Sequence, residues 1–259
     1  MASEGSLTIV GTGIELGSHI TRAAQIEIES ADVVLTLVAE PAMQAYVQGL
    51  NRNVRSLHGL YELGDDRTTA YERMADEILA EVRNGRRVCV ALYGHPGVFV
   101  TPSHEAMRRA RAEGFRARML PGISAEDCLF ADLGIDPSAS GCQSFEATDF
   151  LLHGRVFDPT SALVVWQIGT VGSVAAATEK QPTGLPILVE VLLEHYPADH
   201  EVVVYEASPY PGFQPLADRL PLRELTAERV TALATLYVPP LEPRPVDVTM
   251  LERLGLPRE

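Results

Sequence analysis

The stretch YGHPGVFV, Tyr93–Val100, follows the apolar run VCVALY and precedes TPSHEAMRRARAEG. The apolar run reads as a buried strand and the polar-patterned segment as a capped helix. Between them lies a Gly-x-Pro-Gly turn. Glycine has no Cβ and proline fixes its own φ, so such a turn lets the backbone approach a ligand closely. In open α/β sheets, ligands bind in crevices at the carboxyl ends of strands. The turn after Tyr93 is therefore the first place to look for function.

Working outward, the first half of the chain alternates between strand and helix patterns. SLTIVG reads as a strand, then the loop GTGIELG and the amphipathic helix HITRAAQIEIESA. DVVLTLV, PAMQAYVQGL and NVRSLH continue as strand, helix and short strand. Arg67 to Asn84 carries Met74, Ile78 and Val82 at helical spacing and ends at Gly85. RVCVALY, the helix after Pro102, and FRARML complete the half. This alternation predicts an α/β fold with a mostly parallel N-terminal sheet. From PGISAEDCLFADLG onward the pattern changes. Ser124 can cap a helix closed by Gly134, and ALVVWQIG, LPILVEVLLEHY, HEVVVYEAS and TALATLYVPP follow, separated by proline-rich loops. A mixed sheet in a second lobe is expected. The reading is an N-terminal α/β lobe over residues 1–120, a C-terminal α/β lobe over 121–240, and a short, extended, Pro-rich tail over 241–259.

The bulk properties narrow the function. The 259 residues are 46% hydrophobic and 22% charged, the balance of a globular enzyme. A net charge of −14 argues against a nucleic-acid partner, because phosphates need a basic face. Arg108, Arg109, Arg111, Arg116 and Arg118 read as a solvated helix face running into a strand. Cys89, Cys128 and Cys142 are widely spaced in apolar or small-residue surroundings, which suits reduced, mostly buried thiols in a cytoplasmic protein. His195 and His200 are five apart and fall on different helix faces, so no metal site is expected. No signal peptide and no membrane-spanning run of about 20 apolar residues is legible.

Two groups of residues carry chemistry. GTG at Gly11–Gly13, with Gly17, gives GxGxxxG, which misses the dinucleotide fingerprint by one residue. Taken alone it fits a tight turn as well as a cofactor contact. GTG, GHPG, PGISA at 121–125 and the WQ pair ending ALVVWQ nevertheless recur in a set order. Together they resemble the tetrapyrrole-methylase fold of S-adenosylmethionine-dependent methyltransferases, a two-lobed α/β architecture, over about Leu7 to Pro240. The resemblance implies that Tyr93, His95, Val98 and Phe99 line a cofactor pocket. It also implies that Ser124 and Ala125 approach from the second lobe, with Gln167 as a polar contact and Ala207 as a further candidate. An adenosine needs apolar walls and a few orienting polar groups, which Val98, Phe99, Ser124 and Gln167 can supply. The plainer alternatives are ordinary core for Phe99 and a helix cap for Ser124.

The second group is YELGDDRTTAYERM, with Tyr61, Arg67 and Tyr71. Arg67 and Tyr71 are four apart and share a helix face, which on spacing alone suits a surface pair. Asp65 and Asp66 read as an N-terminal helix cap. LYELGDDRTTAYERM, YGHPGVFV, PGISAEDCLFADLG, GCQSFEATDFLL and TLYVPP together resemble the borosin α-N-methyltransferases, which methylate backbone amides of ribosomally made peptides. Carried over by position, the resemblance implies that Tyr61, Arg67, Tyr71 and Tyr93 form the catalytic group, with Tyr71 the first choice as proton acceptor and Tyr61 the second. Glu146 and Asp149 lie in the shared GCQSFEATDFLL string without a role legible from sequence. Many members carry the substrate on their own C-terminal extension. The tail LEPRPVDVTMLERLGLPRE is short and lacks an apolar core peptide, so a separate precursor protein methylated in trans is expected. A homodimer, with two precursor chains bound as a heterotetramer, is implied by the family. Rival readings are a methyltransferase of a tetrapyrrole, of a modified histidine or of another small molecule, and a catalytically silent binding partner.

Overall fold

The computed structural model describes residues 5–38, 40–61, 67–173, 180–242 and 245–257. They form two compact units. One holds the chain up to Ile135 together with Glu206–Leu216. The other holds Asp136–Ser173, the described residues up to Tyr205, and those from Ala217 onward. The sequence reading drew its line at Leu120–Pro121; the compact units change over after Ile135.

The first unit is built on β1 (Ser6–Gly11), β2 (Val33–Leu37), β3 (Val54–Ser56), β4 (Arg87–Leu92) and β5 (Arg116–Met119), in the order β3-β2-β4-β1-β5. Each recorded strand pair in it is parallel, with Ser6 opposite Arg87 and Gly11 opposite Leu92 fixing the central register. Alternation along the strands explains its layers. Leu7, Ile9, Leu35, Val88 and Val90 pack with Met74, Ile78, Val82, Ala106 and Ala110. Those last five residues come from α3 (Arg67–Arg83) and α4 (Thr101–Ala112). The opposite face, through Val10, Val34, Cys89 and Ala91, packs on Ala24, Ile28 and Val47 of α1 (Arg22–Ser30) and α2 (Pro41–Leu50). Strands buried on both faces read as continuous apolar runs, which is how VCVAL reads.

The helix ends follow local chemistry. Thr21 caps α1 by accepting from Ala24 N–H at 3.1 Å, and Pro41 opens α2. α4 starts at Val100 without a side-chain cap, unlike the expectation of a capped start; Pro102 stands in its first turn. α5 (Ala125–Leu133) has a full capping box between Ser124 and Asp127 and closes on Gly134 at φ 67°.

The second unit holds β6 (Cys142–Glu146), β7 (Ala162–Trp166), β8 (Glu201–Glu206), β9 (Leu216–Pro221) and β10 (Thr235–Val238), ordered β6-β7-β10-β8-β9. β6 and β7 are parallel, while β10 runs antiparallel to both β7 and β8, so the sheet is mixed as expected. α7 (Leu185–Leu193) buries Leu185, Leu188 and Leu192 at helical spacing against Val165, Val204 and Leu236. The string GCQSFEATDFLL becomes β6 followed by α6 (Ala147–Leu152). Its polar residues are committed to structure. Gln143 exchanges two 2.8 Å bonds with the Asp158 backbone, and Ser144 accepts from the Trp166 indole at 2.6 Å. Glu146 caps α6, and Asp149 pairs with Arg155 at 2.9 Å. The extended tail expected after Pro239 is corrected: Val248–Leu254 form a helix, α8. Asp247 caps it and Gly255 closes it at φ 68°, signals that the prolines around them masked in the sequence.

Candidate cofactor crevice and active site

β1 leads into α1 on one face of the parallel sheet, and its neighbour β4 leads into α4 on the other. Adjacent strands whose connections diverge in this way open a crevice at their carboxyl ends. The two exit loops are tied together. Thr12 N–H donates to Leu92 O at 2.8 Å, Gly94 N–H to Gly13 O at 3.0 Å, and Gly13 N–H to Gly94 O at 3.3 Å. Gly11 is glycine by necessity, since a Cβ there would lie 2.1 Å from Gly94 O. The PGISA turn joins the same contact: a Cβ on Gly122 would stand 3.1 Å from Gly94 O and 3.2 Å from Gly11 Cα. Three motifs far apart in sequence thus meet backbone to backbone.

The GHPG turn is braced from α4. The Ser103 hydroxyl lies 2.7 Å from both Pro96 O and Val100 O, and His104 Nε2 lies 2.9 Å from Gly97 O. His95 Nδ1 accepts from Gly97 N–H at 3.0 Å, which leaves Nε2 as the protonated nitrogen of the neutral ring. Beyond it Val98 and Phe99 are exposed, at 36% and 47%, so Phe99 is not the core residue its type suggests. Phe99 also holds φ at 53°, a region that side chains other than glycine enter at a cost. Among the described residues one other non-glycine shares this trait: Gln167, at φ 60°. The resemblance to the methylase fold implies a cofactor contact at both positions. Gln167 follows β7 in the second unit.

Ser124 and Ala125 belong to the first unit, not the second lobe where the sequence reading put them. Gly122, three residues before α5, lies against the GTG–GHPG contact. The Ser124 hydroxyl donates to Asp127 Oδ2 at 2.6 Å and accepts from Asp127 N–H at 3.2 Å, so it caps α5 and keeps one lone pair. Ala207 is buried, in the segment Glu206–Leu216 that returns to the first unit. Leu16 N–H donates to Pro209 O at 2.9 Å and binds that segment to the loop after β1.

Of the catalytic group, Tyr61 and Tyr71 come together. Their ring centroids lie 6.1 Å apart, edge to face, and the His58 ring lies 5.9 Å from that of Tyr61. Both tyrosines pack on the core beside Leu37 and Val100. Arg67 is the first residue of α3, as the spacing predicts. Its side chain lies outside the described residues, as do Asp65 and Asp66. Tyr93 stands just past the end of β4, its N–H donating to Leu37 O at 3.2 Å. Its phenol is pushed up to about 12, first by burial and then by the negative charges of Glu206, Cys128 and Glu40.

A small cavity beside Tyr93 is lined by Ile14, Leu16, Glu40, Ala42, Met43, Pro209 and Tyr210. The neighbouring Glu40 carboxylate holds the Tyr210 phenol above its ordinary range. Sequence reasoning missed both residues. Glu40 precedes Pro41 and reads as a helix cap, yet its side chain makes no capping bond. The five arginines read as a solvated face are largely paired: Arg108 with Glu105, Arg109 with Asp76, Arg118 with Glu27, and Arg111 with Ala117 O.

Residues 6–224 match the model of the Tetrapyrrole (Corrin/Porphyrin) Methylases. The chain belongs to that methylase family. A tetrapyrrole-methylase architecture is borne out by the uroporphyrin-III-C-methyltransferase of Thermus thermophilus. That structure superposes over 99% of this chain and 98% of its own with a TM-score of 0.66, at 21% identity, a likeness of fold alone. Nearer in sequence is the methyltransferase/ribosomally synthesized cyclic peptide gymnopeptides precursor of Gymnopus fusipes, 44% identical over 97% of this chain and 61% of its own length. The omphalotin A precursor methyltransferase of Omphalotus olearius is 43% identical over 97% of this chain and 62% of its own. A type I borosin precursor methyltransferase of Coprinopsis marcescibilis is 43% identical over 92% and 63%. This methylase chain thus spans about three fifths of the length of these borosin relatives, and the resemblance to borosins read from the motifs holds.

Proposed function

We propose that this chain is an S-adenosylmethionine-dependent methyltransferase of backbone amides in a ribosomally made peptide. The observation that carries the reading is the 44% identity, over 97% of the chain, to a relative whose name joins methyltransferase and cyclic peptide precursor. The crevice fits the cofactor. Val98 and Phe99 offer apolar surface beside the exit turn of β4, and Ser124 keeps a free lone pair at the start of α5. His95, Val98, Phe99, Ser124, Ala125 and Ala207 would hold it, and Gln167 is a further polar candidate. When bound, the cofactor supplies an electrophilic methyl on a sulfonium sulfur and leaves as S-adenosylhomocysteine.

The chain's own residues must deal with the amide. A peptide nitrogen is a poor nucleophile because its lone pair is delocalised into the carbonyl. The N–H proton has to leave while the developing oxyanion is stabilised. With its phenol pushed up to about 12, Tyr93 remains protonated at neutral pH and acts as a hydrogen-bond donor. That leaves the Tyr61–Tyr71 pair to take the proton, with Arg67 favouring phenolate or oxyanion and unable to serve as a base itself. The precursor is a separate chain in this reading, and the enzyme a homodimer.

Intact mass spectrometry tests the proposal, with the protein incubated with S-adenosylmethionine in the presence and absence of a small protein encoded beside it. One-methyl steps on the neighbour, localised to backbone amides by fragmentation, are expected. Methyls on this chain would mean that the peptide is carried in cis. An unchanged mass for both, with cofactor bound, would favour a small-molecule acceptor. A polycarboxylate tetrapyrrole is disfavoured by the net charge of −14 and by the negative charge near Tyr93.

A further inference from the structure

Gly97, which closes the GHPG turn, is held at both of its backbone polar groups. Its N–H donates to His95 Nδ1 at 3.0 Å, and its carbonyl lies 2.9 Å from His104 Nε2. A carbonyl can only accept, so His104 carries its proton on Nε2. The N–H and the C=O belong to the two peptide units that meet at the Gly97 Cα. Pinning both fixes φ and ψ of the residue type with the most freedom to lose. The missing Cβ is what admits the two rings. Built on Gly97, it would meet Met119 Sδ at 2.8 Å, with His95 Cε1 at 3.4 Å and His104 Cε1 at 3.6 Å.

His104 stands at the start of α4, where helical side chains lean back toward the preceding loop. Ser103 beside it also reaches the turn, but its hydroxyl meets Pro96 O and Val100 O at 2.7 Å each. One hydroxyl proton serves only one of those carbonyls at a time. His104 gives its proton to Gly97 O alone. Two residues further on, Phe99 holds φ at 53°. A side chain other than glycine stays in that region only where its surroundings over-determine the backbone. Here the bonds to Pro96, Gly97 and Val100 fix the chain on both sides of Phe99.

We propose that His104 is a positioning residue of the cofactor crevice. By fixing the Gly97 carbonyl it keeps the Gly97 N–H on His95 Nδ1 and Phe99 in its left-handed conformation. This rests on the cofactor reading above and adds to it an exposed residue that acts through the turn and not by contact with the cofactor. With Nδ1 engaged, His95 offers a single, fixed donor at Nε2. Once the turn is released, the ring can take either tautomer, and ordering it again costs binding energy.

The test is calorimetric titration of S-adenosylmethionine into the ligand-stripped wild-type protein, His104→Phe and His104→Gln, beside histidine nitrogen NMR spectra of the same proteins. Phe keeps a ring on α4 without the donor, and Gln restores a donor of similar reach. Urea unfolding establishes that each protein is fully native during titration. A role in stability alone then leaves the affinity untouched, whereas a positioning role lowers it. The expected result is a fall of about fivefold in affinity for His104→Phe and recovery to within about twofold of wild type for His104→Gln. The His95 signal, identified by its loss in His95→Gln, should show the Nε2–H tautomer in the wild type and a mixture in His104→Phe. Unchanged affinity in His104→Phe overturns the role, as does an equal loss in His104→Gln. If His104→Phe is not fully native, the wild-type spectrum decides, since a His95 ring protonated at Nδ1 would overturn the arrangement. A wild-type protein that binds no S-adenosylmethionine would bring down the cofactor reading itself, and this inference with it.

Discussion

Among single residues, the tyrosines divide by environment. Tyr93 is held protonated by burial and by nearby negative charge, while Tyr61 and Tyr71 meet edge to face against the core of the first unit. We therefore expect Tyr71→Phe and Arg67→Ala to abolish turnover while S-adenosylmethionine affinity stays within a few fold, read by calorimetry beside the mass assay. Lost cofactor affinity in either variant would place these residues in the wrong site. Gly11 makes a different demand. Because a Cβ would meet Gly94 O at 2.1 Å, Gly11→Ala must part the two exit loops. A destabilisation on the order of 2–3 kcal/mol is expected in urea unfolding, together with loss of cofactor binding. Normal binding by a stable Gly11→Ala protein would show that the loop contact does not shape the crevice. The sequence names Gly11 and Gly94 as turn residues, but nothing in it says that they touch each other. That contact joins positions 83 residues apart.

At the scale of elements, α5 is the clearest case of one residue serving two tasks. Ser124 and Asp127 form a reciprocal capping box. Ser124→Ala should lower stability by about 1 kcal/mol through the lost cap, visible as a lower thermal midpoint. Ser124→Thr, which keeps a capping hydroxyl, should recover most of that. If the lone pair left on Ser124 also meets the cofactor, Ser124→Ala will weaken donor binding by more than the stability change explains. Equal affinities for Ser124→Ala and wild type would reduce Ser124 to a cap. The elements most legible in the sequence were those with both a period and a punctuating residue. α2 begins at Pro41, α3 stops before Gly85 and α5 closes on Gly134. α8 was missed because Pro243, Pro245 and Pro257 suggested an extended tail, while Asp247 and Gly255 are brief signals around a helix of one and a half to two turns.

For the molecule as a whole, buried phenols set the alkaline limit of stability. Tyr196 lies in the second unit, 3% exposed, stacked on Phe157 and His200, and its hydroxyl has no hydrogen-bond partner among the described residues. Burial pushes it up to about 12, with Asp158 adding to the effect, and Tyr93 reaches the same range. A phenol whose folded value is raised contributes fully below its unfolded value near 10. Above that the unfolded chain loses its proton first, so stability falls as pH rises through the window from 10 to 12. Tyr196→Phe removes an unpaired buried hydroxyl; we expect it to stabilise the protein by about 1 kcal/mol at pH 7 and to lessen the loss between pH 10 and 12. A lower melting temperature for Tyr196→Phe at pH 7 would mean that the hydroxyl is bonded after all. The sequence by itself determined the alternation of strands and helices, the parallel first sheet and the mixed second one, and the motif set that marks the crevice. These are local properties: hydrophobic period, turn residues and caps act over a few neighbours. Tertiary structure alone decided that GTG, GHPG and PGISA touch through their backbones, that α5 joins the first unit, and that Glu40 and Tyr210 line one cavity with Tyr93. Each of these is a meeting of segments distant along the chain, chosen by steric fit and by where an unsatisfied polar group finds a partner, and no periodicity in a sequence records such a choice.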